Sequence, residues 1–74
     1  MKVTVKLFAT FRDGRQKVYD MDLPEPVPVA SILEKLGIHE SEIAILIVNG
    51  KDAKPETVLC ENDVVALFPP VGGG

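Results

Sequence analysis

Three glycines, Gly72, Gly73 and Gly74, follow directly on Pro69-Pro70-Val71 at the end of a 74-residue chain. Their chemistry is defined by what they lack. Glycine has no Cβ, adds nothing to a core and loses the most backbone freedom on ordering. A frayed terminus is the plain explanation, since chain ends are commonly disordered. The chemical explanation is that a tail without side chains can thread a channel too narrow for any Cβ. Pro69-Pro70 stiffens the exit into a polyproline-like segment, and six extended residues reach about 20 Å at ~3.3–3.6 Å each. The group so delivered is the terminal carboxylate. It is ionised at neutral pH and a poor electrophile, so it acylates nothing until adenylation by ATP installs a better leaving group. Sulfide, or a persulfide followed by cleavage of its S–S bond by a thiol, can then displace AMP and leave a thiocarboxylate.

The remaining reactive side chains are sparse. Cys60 sits in Val58-Leu59-Cys60 with no adjacent Lys, Arg or His to stabilise a thiolate, and a buried structural cysteine is expected. His39, between Ile38 and Glu40, reads as a solvated loop residue. Asp20 and Asp22 share one strand face, but two carboxylates without further ligands make a weak metal site, and a solvated outer face is expected. One Cys and one His cannot complete a structural zinc or iron–sulfur site, which excludes a β-grasp ferredoxin. There is no Gly-x-x-x-x-Gly-Lys-Ser/Thr loop to hold ATP and no Ser-His-Asp or Cys-His arrangement. If the tail is adenylated, another protein does it, and this chain is the carrier rather than an independent catalyst. A net charge of −3 without a basic stripe argues against nucleic-acid binding and suits a partner with a basic patch. No apolar run approaches the ~20 residues of a membrane helix. The N-terminus alternates polar and apolar, unlike a signal peptide, so the expected location is the cytoplasm.

The tail needs a body to present it, and 46% hydrophobic residues can build one. Residues 2–11 alternate, with Val3, Val5, Leu7, Ala9 and Phe11 on one face, which predicts a half-buried strand. Asp13-Gly14 is a hairpin signal, and residues 16–23 give a second strand with Tyr19, Met21 and Leu23 in phase. Pro24 to Pro28 cannot continue a sheet interior. Pro28 suits the first turn of a helix, whose apolar face is Val29, Ile32, Leu33 and Leu36 and whose C-terminal cap is Gly37. The apolar run 43–48 predicts a strand buried on both faces. Asn49-Gly50 is a second hairpin signal, leading to a short strand at 51–54. Residues 56–63 read as a loop or single helical turn, and Val64 to Phe68 as the last strand. One helix on one face of a mixed sheet is the α+β, β-grasp arrangement. The crossover through residues 24–42 is long enough to set the first strand beside the 43–48 strand.

The segment LFPPVGGG, residues 67–74, resembles the C-terminus of MoaD, the small subunit of molybdopterin synthase. VKLFATFRD, residues 5–13, resembles its first strand. Val29, Leu33, Leu36 and the segment 47–51, IVNGK, fit the wider MoaD/ThiS-type ubiquitin-like sulfur-carrier family. That resemblance implies a β-grasp domain over residues 1–68 and a flexible reactive tail over 69–74. It implies activation by a ubiquitin-activating-type adenylyltransferase that uses ATP and Mg²⁺, the chain itself binding no cofactor. It also implies a glycine thiocarboxylate that gives its sulfur to a cofactor precursor. The Phe-Pro-Pro-Val stretch leans towards the molybdopterin branch, with the large synthase subunit as a second partner. The family ends in Gly-Gly, so a third glycine leaves open whether Gly74 is activated, trimmed or tolerated; Gly74 is preferred, with Gly73 beside it. Asn62-Asp63 stands where relatives often carry Gly-Asp, and Asn tolerates the left-handed backbone such a turn needs.

Two aromatic residues fall out of phase with the core. Phe8 shares a strand face with Lys6 and Thr10. If Val65 and Leu67 face the helix, Phe68 points outward just before Pro69, Pro70, Val71 and Gly72. The first and last strands of this fold class are central neighbours, so Phe8 and Phe68 are expected to form one exposed patch for a partner; the other possibility is that a loop covers both. Two further functional readings stand beside sulfur transfer: a protein modifier conjugated through its C-terminus, and a β-grasp interaction module with inert glycines.

Overall fold

The computed structural model describes residues 1–70. Its strands are β1 (Lys2–Leu7), β2 (Val18–Asp22), β3 (Ile45–Val48), β4 (Lys51–Asp52) and β5 (Val64–Phe68), with one helix, α1 (Val29–Leu36). The five-stranded sheet runs in the order β2-β1-β5-β3-β4. β1 and β5 pair in parallel at its centre, and the other pairings are antiparallel. This is the β-grasp arrangement predicted from element order.

Alternation decides which residues fill the core. Val3, Val5 and Leu7 of β1 and Val65 and Leu67 of β5 are buried against Val29, Ile32 and Leu33 of α1. The helix is short, so packing rather than propensity holds it, and its ends are closed from outside. Its first N–H groups, of Val29 and Ala30, donate to the carbonyls of Thr57 and Pro55, each at 2.9 Å. Pro28, at the N-cap, has no N–H to satisfy. At the other end Gly37 adopts φ 71°, and the Ile38 N–H reaches back to the Leu33 carbonyl at 3.0 Å. This is a Schellman-type ending that seats Ile38 in the core. Arg15 adds a cation there, its Nε donating to the Leu36 carbonyl at 3.0 Å, where the helix dipole favours positive charge.

Four expectations are corrected. β1 ends at Leu7, not at residue 11, because Ala9 turns to φ 52° and begins a 3-10 turn, Ala9–Arg12. Phe11 reaches the core from that turn while Ala9 is exposed, so the alternation past Leu7 was not strand periodicity. The apolar run 43–48 is not buried on both faces. Strand β3 begins at Ile45, of its residues only Leu46 is buried, and Ile45 is 47% exposed, because α1 covers one face of the sheet. Nor does β3 lie beside β1, since β5 is inserted between them. Finally, Cys60 is exposed. The core position in that loop is its neighbour Leu59, fully buried and held by an N–H bond to the Val27 carbonyl at 2.9 Å.

The turn before β5 is tied by one carboxylate. Asp63 accepts from Asn49 Nδ2 and from the Cys60 N–H, both at 2.7 Å. Asn49 Oδ1 in turn accepts from the Val64 N–H at 2.9 Å. Asn49 and Asn62 take the left-handed conformation, at φ 52° and 68°, which asparagine adopts at lower cost than most residues. Asp63→Ala is expected to lower stability by about 1–2 kcal/mol, as two charge-assisted bonds are lost at a half-buried site. Urea unfolding reads this out, and an unshifted midpoint would deny the carboxylate its tethering role.

Candidate functional site

The sheet has a face that α1 does not cover, and the site is built there. Because Val3, Val5 and Leu7 point inward, Phe8 points outward, and because Val65 and Leu67 are inward, so does Phe68. The parallel register sets Leu7 beside Leu67. The Phe8 N–H carries that ladder on to the Leu67 carbonyl at 3.2 Å. The two rings therefore meet face to face, with centroids 4.3 Å apart and planes within 8° of parallel.

Antiparallel pairing brings β3 to the other flank. Ile45 stands opposite Phe68 and Ile47 opposite Ala66. The outer face near the end of β5 thus carries Phe8, Phe68, Ala66, Ile45 and Ile47. Ile45 and Ile47 were missed from sequence because the whole run 43–48 was assigned to a two-sided core. The signal that exposes them is topological: one eight-residue helix cannot cover both faces of a sheet.

The expected alternative, a loop over both rings, is met only in part. The 3-10 turn lays the Arg12 guanidinium over Phe8, its Cζ 5.2 Å from the ring centroid. Nε of Arg12 donates to the Leu7 carbonyl at 2.7 Å, which fixes the side chain in that pose. Both rings are half-buried rather than fully exposed. β5 leads from Phe68 into Pro69, half-buried, and Pro70, exposed. Val71, Gly72, Gly73 and Gly74 lie outside the described residues, as does their expected threading.

The other reactive residues are scattered. His39 is exposed beside the end of α1. Asp20 lies on the outer face opposite Thr4 and accepts from its Oγ1 at 3.3 Å, and Asp22 stands opposite Lys2. Among the described residues no three His, Cys, Asp or Glu side chains are grouped to hold a metal, and no helix is long and apolar enough to cross a membrane.

A five-stranded β-grasp sheet, one helix across it and a tail leaving its central strand define a ubiquitin-like protein. The ThiS family model matches residues 5–74, and the chain belongs to that family of ThiS/MoaD-like ubiquitin-like sulfur carriers. It is similar to the putative molybdopterin converting factor subunit 1 from Pyrococcus furiosus, with 32% identity over 96% of this chain and 99% of that one, TM-score 0.73. SAMP1 from Haloferax volcanii shares the fold at TM-score 0.77 and 24% identity over the full length of both chains. So does the complex of subunits 1 and 2 of molybdopterin-converting factor from Helicobacter pylori, at TM-score 0.67 and 21% identity, again over both full lengths. Comparison with curated protein sequences gives no match.

Proposed function

We propose that this chain carries sulfur on its C-terminal carboxylate for molybdopterin-type cofactor biosynthesis. The carboxylate of Gly74 attacks the α-phosphorus of ATP, bound with Mg²⁺ by a ubiquitin-activating-type adenylyltransferase, and pyrophosphate leaves. Sulfide then displaces AMP from the acyl carbon, and the glycine ends as a thiocarboxylate whose sulfur passes to a cofactor precursor. The large synthase subunit is the second partner, by analogy with the two-subunit Helicobacter pylori complex.

The observation that carries this reading is that the family match runs through the glycine tail to residue 74. Similarity to the putative molybdopterin converting factor subunit 1 of Pyrococcus furiosus favours the molybdopterin branch. Intact-mass analysis of the chain purified from its own host tests it. An oxygen-to-sulfur exchange at the C-terminus is expected, and a protein that never carries it under active cofactor synthesis would refute the reading. SAMP1, a small archaeal modifier protein by description, favours a second use of the same adenylate, transfer to a lysine amine. Isopeptide-linked conjugates without thiocarboxylate would select that use.

The stacked pair at the root of the tail is the docking anchor in this scheme. Phe8→Ala and Phe68→Ala are each expected to weaken binding to the adenylyltransferase by about 1–3 kcal/mol, as central aromatic residues of an interface do. Each also loses a ring–ring contact worth about 0.5–1.5 kcal/mol, so stability falls by less than the ~3–5 kcal/mol of a buried Phe→Ala change. Calorimetric titration beside denaturant melts decides it. Unchanged affinity with a large stability loss would make the rings core and place docking elsewhere.

A further inference from the structure

We propose that Arg12 is a recognition residue, which pairs with a carboxylate at the rim of the apolar pocket on the activating enzyme that receives Phe8 and Phe68. The inference rests on the sulfur-carrier reading above and adds to it the chemistry of the partner's surface.

The guanidinium is already held. Its Cζ lies over the Phe8 ring, 5.2 Å from the centroid, and Nε is bonded to the Leu7 carbonyl at 2.7 Å. The two terminal nitrogens have no hydrogen-bond or ion-pair partner among the described residues. A guanidinium held in place with open donors matches a carboxylate or phosphate in bidentate geometry and loses little side-chain freedom on binding.

Distance separates those two ligands. Six residues, Pro69 to Gly74, stand between Phe68 and the reactive carboxylate. Extended, they span about 20 Å, so the nucleotide phosphates at the tail's end are far from a guanidinium seated beside the tail's root. A carboxylate of the partner's docking surface is the anion within reach.

Charge points the same way. The chain carries −3 overall, yet residues 2–12 hold three cations, Lys2, Lys6 and Arg12, and no acid. Lys6, on the outer face, stands opposite Ala66 and so borders the apolar cluster. Size argues against a second copy of this chain as the occupant. A stable interface takes about 800 Å² from each partner, roughly a sixth of this chain's 4735 Å² surface. Five half-covered side chains fall short of that unless the partner also engages the tail.

The experiment is calorimetric titration of the host's adenylyltransferase with the wild-type chain and with Arg12→Gln, Arg12→Lys and Arg12→Glu, at low and high salt. Thermal melts check each fold. Arg12→Gln is expected to weaken binding by about 10- to 100-fold, the worth of a charge-assisted hydrogen bond, and to flatten the salt dependence. Arg12→Lys should recover little of it, because an ammonium neither forks nor stacks as a guanidinium does, and Arg12→Glu should bind more weakly still. A guanidinium that only shields Phe8 from water would give the opposite sign, so unchanged or tighter binding of Arg12→Gln overturns the proposal alone. Absence of binding by the wild-type chain overturns the carrier reading and this inference with it. A self-association of the free chain in sedimentation that Arg12→Gln abolishes would assign the face to a second copy and likewise overturn it.

Discussion

A Gly73→Trp, Gly74→Trp double variant is expected to lose ATP-dependent thiocarboxylation while melting as the wild type does. Glycine has no side chain to bury, so neither position is expected to add to the core. The loss comes from the reaction. A carboxylate delivered through a channel shaped for glycine must meet the nucleotide at bonding distance, and a misplacement of ~1 Å already costs about 10²-fold. Two indole side chains should stop the tail well short of that point. Mass spectrometry after incubation with the adenylyltransferase, ATP, Mg²⁺ and a sulfur source reads the product directly. Normal loading of the double variant would end the threading explanation. Loading lost together with a lowered melting temperature would show instead that the tail belongs to the fold.

Leu59→Ala should be among the most destabilising single changes in this chain. Leu59 is fully buried in a segment without regular secondary structure. Truncating such a leucine costs about 2–5 kcal/mol, and a domain of this size has about 4–11 kcal/mol in total at ~0.05–0.15 per residue. The neighbouring Val58, 57% exposed, is the internal control, and Val58→Ala should stay within about 0.5 kcal/mol. Urea melts compare the two. Similar midpoints would mean that the 56–63 segment moves away from the core in solution.

Leu59 also marks where sequence patterning stops being informative. Periodicity identifies β1, β2, α1 and β5 because each presents a regular apolar face, and Asn49-Gly50 marks its hairpin because few residues accept two positive φ angles in succession. A loop residue has no period, so nothing in the pattern opposed choosing Cys60 as the buried residue; the backbone bond from Leu59 to Val27 puts Leu59 inside instead. The exposed halves of β3 were hidden for a different reason. A short apolar run looks the same whether it is covered on two faces or on one, and only the strand order shows that Ile45 and Ile47 face away from α1. In the candidate site, Phe8 and Phe68 were legible as residues out of phase. Arg12 was not, because its position over Phe8 depends on the left-handed turn at Ala9 that ends β1.

The sheet order also has a mechanical meaning. β5, from which the tail leaves, lies between β1 and β3 and is hydrogen-bonded along both sides. Tension on the tail therefore runs along the strand axis, across two ladders whose bonds share the load together rather than parting one after another. A tail leaving from the edge strand β4, of two residues and one ladder, could be peeled away. Anchored in the middle of the sheet, β5 resists such a pull through both of its neighbours at once.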